Sequence, residues 1–268
     1  EPRLDLALGF KHLDIQAQKK FMPPTALPEL SNWLSNNIYS GDINEGSFIY
    51  SGNSSSNAPE EALTLQLYLD IEDGRLTYLE DWPQITDVKA KIMVDSPTTN
   101  IWLHSANTLG GEFITNSGHI RIRKDEDNIP WMTVKGEVQG SAQEGLEYLQ
   151  TTPLRESVGS VFDQWSAKGK QLTKLYARIP LAQPEAGTLL KPKIRLTSEL
   201  DEVDLNIGDL NLQVNNIVGE VEFDSDEGIS ADELVANTFG GRIVSSIRSE
   251  NIAGAFDISI TAKGKGTA

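Results

Sequence analysis

The chain has 268 residues, 23 basic and 39 acidic, giving a formal charge of −16 and no cysteine. That charge balance argues against nucleic acid as a partner and against flat adsorption onto anionic headgroups. The lack of cysteine excludes disulfides, thiolate metal sites and cysteine nucleophiles. The length admits one large domain or two ordinary ones, and no run approaches the ~20 apolar residues of a membrane span. The sequence begins Glu1, Pro2, Arg3 and ends Gly264 to Ala268, which reads as an internal segment of a longer protein.

Taken in chain order, strict alternation of apolar and polar residues dominates. Leu4, Leu6, Leu8 and Phe10 open the series. Pro28 to Ile38 then predicts a helix, with Pro28 in its first turn and Leu30, Trp33, Leu34 and Ile38 on one face. Ser51 to Pro59 reads as a surface loop. From Leu63 to Ile71 every odd position is aliphatic, the period of a strand with one apolar face. Val88, Ala90, Ile92 and Val94 repeat the pattern, as do Met132, Val134 and Val138. A short helix is predicted from Ser141, where Ser141 and Glu144 have the spacing of a capping box and Leu146 and Leu149 follow. A third helix is predicted after Thr152, with Pro153 in its first turn and Leu154, Val158, Val161, Phe162 and Trp165 facing the sheet. Alternation returns at Leu175, Ala177, Ile179 and Leu181, at Ile194, Leu196 and Leu200, at Val203, Leu205 and Ile207, and at Phe256, Ile258 and Ile260. Turn-forming clusters separate many of these runs, among them Glu72 to Gly74, Asp95 to Pro97 and Asp224 to Gly228.

An internal repeat is visible. Ala106 to Phe113 matches Ala236 to Ile243 at a spacing of 130, and Val88 to Ser96 resembles Ile217 to Ser225 at a spacing of 129. Each copy reads as strand, tight turn, strand, Gly-Gly, strand. The glycine pairs, Gly110 with Gly111 and Gly240 with Gly241, mark a kink or bulge where a curved sheet bends.

The strands make the protein mainly β, and their apolar faces need covering. Two readings are open: a closed β-sandwich in which two sheets cover each other, or an open curved sheet whose concave face binds acyl chains. Periodicity does not separate them, because an inward side chain looks the same facing a second sheet or a lipid.

The residues that carry chemistry are sparse. His12, His104 and His119 are the only histidines, and none has metal-ligand spacing. No nucleophile elbow, Walker loop or dinucleotide fingerprint occurs. Asp224 and Asp226 begin like a calcium loop, but Gly228 and Ile229 occupy positions that need an oxygen ligand and a glycine. Asp125 to Asn128 reads as a solvated turn. Glu80, Asp81 and Trp82 put carboxylates beside an aromatic, as a sugar site would, but a polar turn anchored by Trp82 and ended by Pro83 accounts for them more simply. Trp102 and Trp131 have the opposite phase from their strands' aliphatics, which leaves two readings, packing under helices or loops and a binding role that nothing in the sequence supports. No catalytic residue, metal or cofactor is assigned.

The order of motifs resembles the YhdP family. Leu27 to Leu34, Gly41 to Gly46 and Tyr50 to Gly52 follow that family's opening run, and Gly74 to Pro83 resembles its strand ending in Asp-Trp-Pro. Gly145 to Leu149 with Thr152 to Leu154 resembles its helix pair, and Ile179 to Leu181 its next strand. Ala236 to Gly241 sits where the family has a further repeat unit. The resemblance implies an AsmA-like fold, a curved antiparallel sheet forming an open, taco-like repeating β-groove. It implies a bridge that conducts phospholipid between the inner and outer membranes of Gram-negative bacteria. The setting would be the periplasm, with the full-length protein anchored in the inner membrane, and other envelope proteins are conceivable partners. On this reading residues 1–268 form one elongated groove segment with approximate units 27–180 and 181–268. Strand phase alone nominates the groove lining: Leu63, Leu65, Leu67, Leu69, Val88, Ile92, Val94, Ile101, Leu103, Val134, Leu175, Ile179, Ile194, Leu196, Val221, Phe223, Ile258 and Ile260.

Overall fold

The computed structural model describes residues 3–15, 36–53, 64–77, 81–109, 111–155, 160–184, 189–252 and 255–264. These residues build one antiparallel sheet of fourteen strands. The strands are β1 (Arg3–Asp14), β2 (Ile38–Asn53), β3 (Thr64–Leu76), β4 (Ile85–Asp95), β5 (Thr98–Thr108), β6 (Gly111–Phe113) and β7 (Gly118–Lys124). They continue with β8 (Pro130–Ser141), β9 (Trp165–Pro180), β10 (Lys193–Ile207), β11 (Leu212–Asp224), β12 (Gly228–Thr238), β13 (Gly241–Ile252) and β14 (Ala255–Gly264). Strand order follows the sequence, with short β6 and longer β7 sharing the slot between β5 and β8. The sheet is a simple meander that does not close into a barrel, and it curves around one apolar face.

Alternation sets that face. Tyr50 pairs with Leu65, Leu67 with Val94, Leu69 with Ile92, and Ile92 with Ile101. Directly opposed residues share a side of the sheet, so these pairs stack into an inner aliphatic layer. The opposite phase is largely charged or polar and exposed.

Bulges interrupt the ladder in two rows. In the first, Gly41, Asp73 and Asp87 take positive φ where β2, β3 and β4 shift register. In the second, Gly169, Glu202 and Asn216 do so in β9, β10 and β11. A bulge adds one residue, increases local twist and bends the strand, so bulges aligned across neighbouring strands bend the sheet along a line. The two rows are 128 or 129 residues apart, and Leu109 and Phe239, which precede the Gly-Gly pairs, share positive φ at a spacing of 130. Side-chain pairs repeat as well: Gln66 donates to Asp95 at 3.0 Å, and Arg195 to Asp224 at 2.9 Å, 129 residues on.

Bulging also explains an apparent break in the sequence. Ile194, Leu196 and Leu200 have even phase, whereas Val203, Leu205 and Ile207 have odd phase. These are one strand, β10, whose inward phase flips at the bulge around Glu202. The predicted helix over 28–38 lies outside the described residues up to residue 35. Asn36 and Asn37 are helical and Ile38 begins β2.

The main described helix is α1 (Ala142–Thr151). Its capping box is formed: the Glu144 backbone N–H donates to the Ser141 hydroxyl at 3.2 Å, and the Ser141 N–H donates to the Glu144 carboxylate at 2.6 Å. Between α1 and β9, Leu154 and Arg155 are the helical positions among the described residues, and residues 160–164 form turns. Val158 lies outside the described residues. The expectation that a helix would set Val161 and Trp165 against the sheet is corrected: Val161 is 40% exposed, and Trp165 is the first residue of β9.

Candidate functional site

The inner face encloses a cavity of about 1100 Å³ whose lining runs from β2 to β13. Aliphatic and aromatic side chains make up most of its wall. The strand-phase residues Leu65, Leu67 and Leu69 lie on it from β3, Val88, Ile92 and Val94 from β4, and Ile101 and Leu103 from β5. Val134 of β8, Leu175 and Ile179 of β9, Ile194 and Leu196 of β10, and Val221 and Phe223 of β11 continue it. Ile258 packs against the apolar cluster beside the cavity. Ile260 shares its face through pairing with Ile247, but it lies off the wall and is half exposed. Leu63 falls outside the described residues.

Alternation also placed residues there that strand phase did not nominate. Ile120 and Ile122 reach the wall from β7, Ile217 from β11, Ile229 and Leu234 from β12, and Ile247 from β13. The signal existed in His119 to Arg123, where isoleucine alternates with basic residues. Ile217 and Leu234 sit beside register shifts, so simple counting loses their phase.

Part of the face is roofed. Leu146, Tyr148 and Leu149 of α1 point into the cavity, joined by Leu154, Phe162 and Trp165. Two links fix α1 to β9: the Ala167 N–H donates to the Gln143 side-chain oxygen at 2.9 Å, and the Gln150 amide donates to the Trp165 carbonyl at 3.3 Å. On the far side the Tyr148 hydroxyl lies 3.2 Å from that of Thr108, at the end of β5, and its ring centre lies 6.3 Å from that of Trp82. The helix therefore bridges the groove from β9 to β5. Trp82 anchors its turn into this roof, while Glu80 lies outside the described residues.

The outer face is different. Trp102 is 46% exposed and stacks on His119, and Trp131 lies beneath the Arg178 guanidinium. No helix covers either ring among the described residues, so packing under a helix is corrected, and Trp131 is tied to the 125–129 turn through its indole N–H. His104 Nδ1 contacts the Asn116 side-chain oxygen at 2.8 Å, and His119 Nε2 contacts that of Asn100 at 3.2 Å. No group of metal-ligating side chains assembles among the described residues. The acids with shifted titration also lie off the cavity. Desolvation pushes the Asp125 carboxyl up, but donors from Ile129 N–H, Trp131 indole and Asp127 N–H, with the Arg178 charge, together hold it below the usual range. Asp224 is held low in the same way, its desolvation outweighed by the Asp226 N–H and Arg195.

Comparison with known proteins fits this geometry. The family described as YhdP protein matches residues 1–268. An Escherichia coli K12 protein named intermembrane phospholipid transporter YhdP is 20% identical over 267 residues, covering 98% of this chain. The chain spans about one fifth of that relative's length (20%). No solved structure matches. With the whole chain matched by one family and its single curved sheet in view, the protein belongs to the YhdP family.

Proposed function

We propose that this chain is a segment of a bridge that carries phospholipid between two membranes, with acyl chains sliding along the inner face of the sheet. The carrying observation is that one sheet supplies most of the apolar wall, with α1 and the turn after it roofing part, and that among the described residues no second sheet faces it. Exposed apolar surface costs roughly 25 cal/mol per Å², and an acyl chain offsets that cost at about 0.8 kcal/mol per buried CH₂. The relative's name supports the cargo. The periplasm is the setting this reading requires, with anchoring in the inner membrane by the full-length protein and no chemical step performed by this segment. A closed sandwich that only binds protein would need a second facing sheet. A sugar site at Trp82 would need that ring open to solvent, and it packs on Tyr148 instead.

Bulge spacing supports a finer division than units 27–180 and 181–268. β1 to β7 form one unit, β8 to β13 the next, and β14 opens a third. Photo-crosslinking tests the groove. Photoreactive residues at Ile92 and Val94 should capture phospholipid in cells, while one at Lys91, on the opposite phase, should not. Equal labelling at both phases would refute the assignment.

A further inference from the structure

The outer face carries a feature that the groove does not use. Across β4, β5, β7, β8, β9 and β10, register aligns Lys91, Trp102, His119, Lys135, Tyr176 and Arg195 in one row. A parallel row holds Met93, Asn100, Arg121, Thr133, Arg178 and Lys193, and Arg123 lies opposite Trp131. Four of the chain's nine arginines thus gather on one face of a protein of charge −16. Arg195 pairs with Asp224 and Lys193 with Asp226. Lys91, Arg121, Arg123, Lys135 and Arg178 form no ion pair among the described residues. The remaining acids stand at the margin, among them Asp70 opposite Lys91, Glu137 one row away, and Asp125, whose carboxyl accepts the Trp131 indole N–H at 2.7 Å.

We propose that this ribbon docks an extended, carboxylate-rich segment of a partner protein. Its composition is that of a protein interface, enriched in arginine, tryptophan, tyrosine and methionine. Met93, Trp102 and Tyr176 are all at least 40% exposed, although nothing in the sheet's own packing requires apolar groups there. Five strand spacings of ~4.8 Å make the ribbon about 24 Å long, the length of roughly seven extended residues. Guanidinium groups bind carboxylates in a bidentate fork. A glycan fits less well, because Lys135 and Arg178 already lie over the Tyr176 and Trp131 rings and Trp102 stacks on His119. A membrane plane would also meet the acids flanking the ribbon, among them Glu199, Glu220 and Glu222, which repel anionic lipid. A second copy of this chain would bring one convex face against another and bury little.

The test uses the full chain and a fluorescein-labelled oligoglutamate peptide, followed by fluorescence anisotropy at low and physiological ionic strength. Binding should fall about tenfold or more in Arg121→Glu with Arg178→Glu, and about threefold in Trp102→Ala. The milder Arg121→Gln with Arg178→Gln should weaken it in the same direction, which guards against misfolding of the first pair. Lys11→Glu with Lys263→Glu changes the net charge equally on the edge strands and should leave affinity within about twofold. The proposal is overturned if binding survives the Arg121 and Arg178 changes, if Trp102→Ala is neutral, or if the edge-strand control weakens binding as much. It is also overturned if phosphatidylglycerol vesicles or polygalacturonate bind more tightly than the peptide through the same residues.

Discussion

Ile92→Asp is the most direct perturbation of the groove. Ile92 lies half-buried on the wall, between Leu69 on β3 and Ile101 on β5. Losing this partly buried side chain costs the fold roughly 1 kcal/mol, which a sheet this extensive tolerates. The effect on lipid is larger. A carboxylate keeps its water rather than face hydrocarbon, and a hydrated group there displaces about two to three CH₂ units of an acyl chain. At ~0.8 kcal/mol each that is about 2 kcal/mol, or roughly thirty-fold in affinity. The assay is displacement of a fluorescent fatty acid from the purified chain, with a thermal melt to confirm folding. Lys91→Asp, one residue away on the outer face, changes charge further but should leave uptake unaltered. Ile92→Ala removes area without adding charge and should fall between the two. Unchanged binding in Ile92→Asp, or an equal loss in Lys91→Asp, would refute an acyl-binding inner face.

Two further outcomes follow from backbone and charge. Gly169 sits in the second bulge row at φ +112, and a Cβ there would come within 2.9 Å of the Val203 Cα. Gly169→Ala should therefore cost about 1–3 kcal/mol in urea unfolding, whereas Gly9→Ala, with nothing within 4 Å, should change little; equal effects would remove the bulge argument. Asp125 is held below the usual carboxylate range, so its contribution is complete above the unfolded value near ~3.9 and is lost as pH falls through the lower folded value. The NMR signal of the Trp131 indole N–H should keep its bonded position until the pH is below that range. A midpoint at or above the ordinary value would contradict the hydrogen-bonded turn.

The sheet was legible because each strand buries one face, and burial on one face writes itself as alternation. Leu65, Leu67 and Leu69 lie on the wall for that reason. The capping box at Ser141 and Glu144 was legible because it is local chemistry. What alternation hid were the bulges. One inserted residue at Glu202 flips the phase of β10, so one strand reads as two, and Ile217 and Leu234 drop out of the count. The outer ribbon was hidden for another reason. Trp102 and Trp131 were visible as out-of-phase aromatics, but their alignment with Arg121, Arg178 and Lys135 exists only after four strands are placed in register. The roof was half legible: Leu146 and Leu149 follow from helical spacing, whereas the span from Tyr148 to Thr108 joins residues 40 apart.

On the proposed function, the form of the inner face bears on whether lipid is held or passed on. A holding site is walled at its ends, so that one ligand fills it. Here the strands cross the groove and the apolar lining advances strand by strand from β2 to β13. With fourteen strands in thirteen slots, twelve spacings of ~4.8 Å give a contour of about 58 Å, well beyond one acyl chain. Neither edge ends the stripe. Leu4, Leu6 and Leu8 of β1 share the face of Tyr50 and Phe48 and are 49%, 36% and 45% exposed, and Ile260 of β14 is 50% exposed opposite Ile247. The roof of α1 spans from β9 to β5 and covers part of the face. On the function proposed above, a stripe longer than one acyl chain fits transit along the groove better than storage within it, and a passing lipid would meet the roof at Tyr148, Thr108 and Trp82.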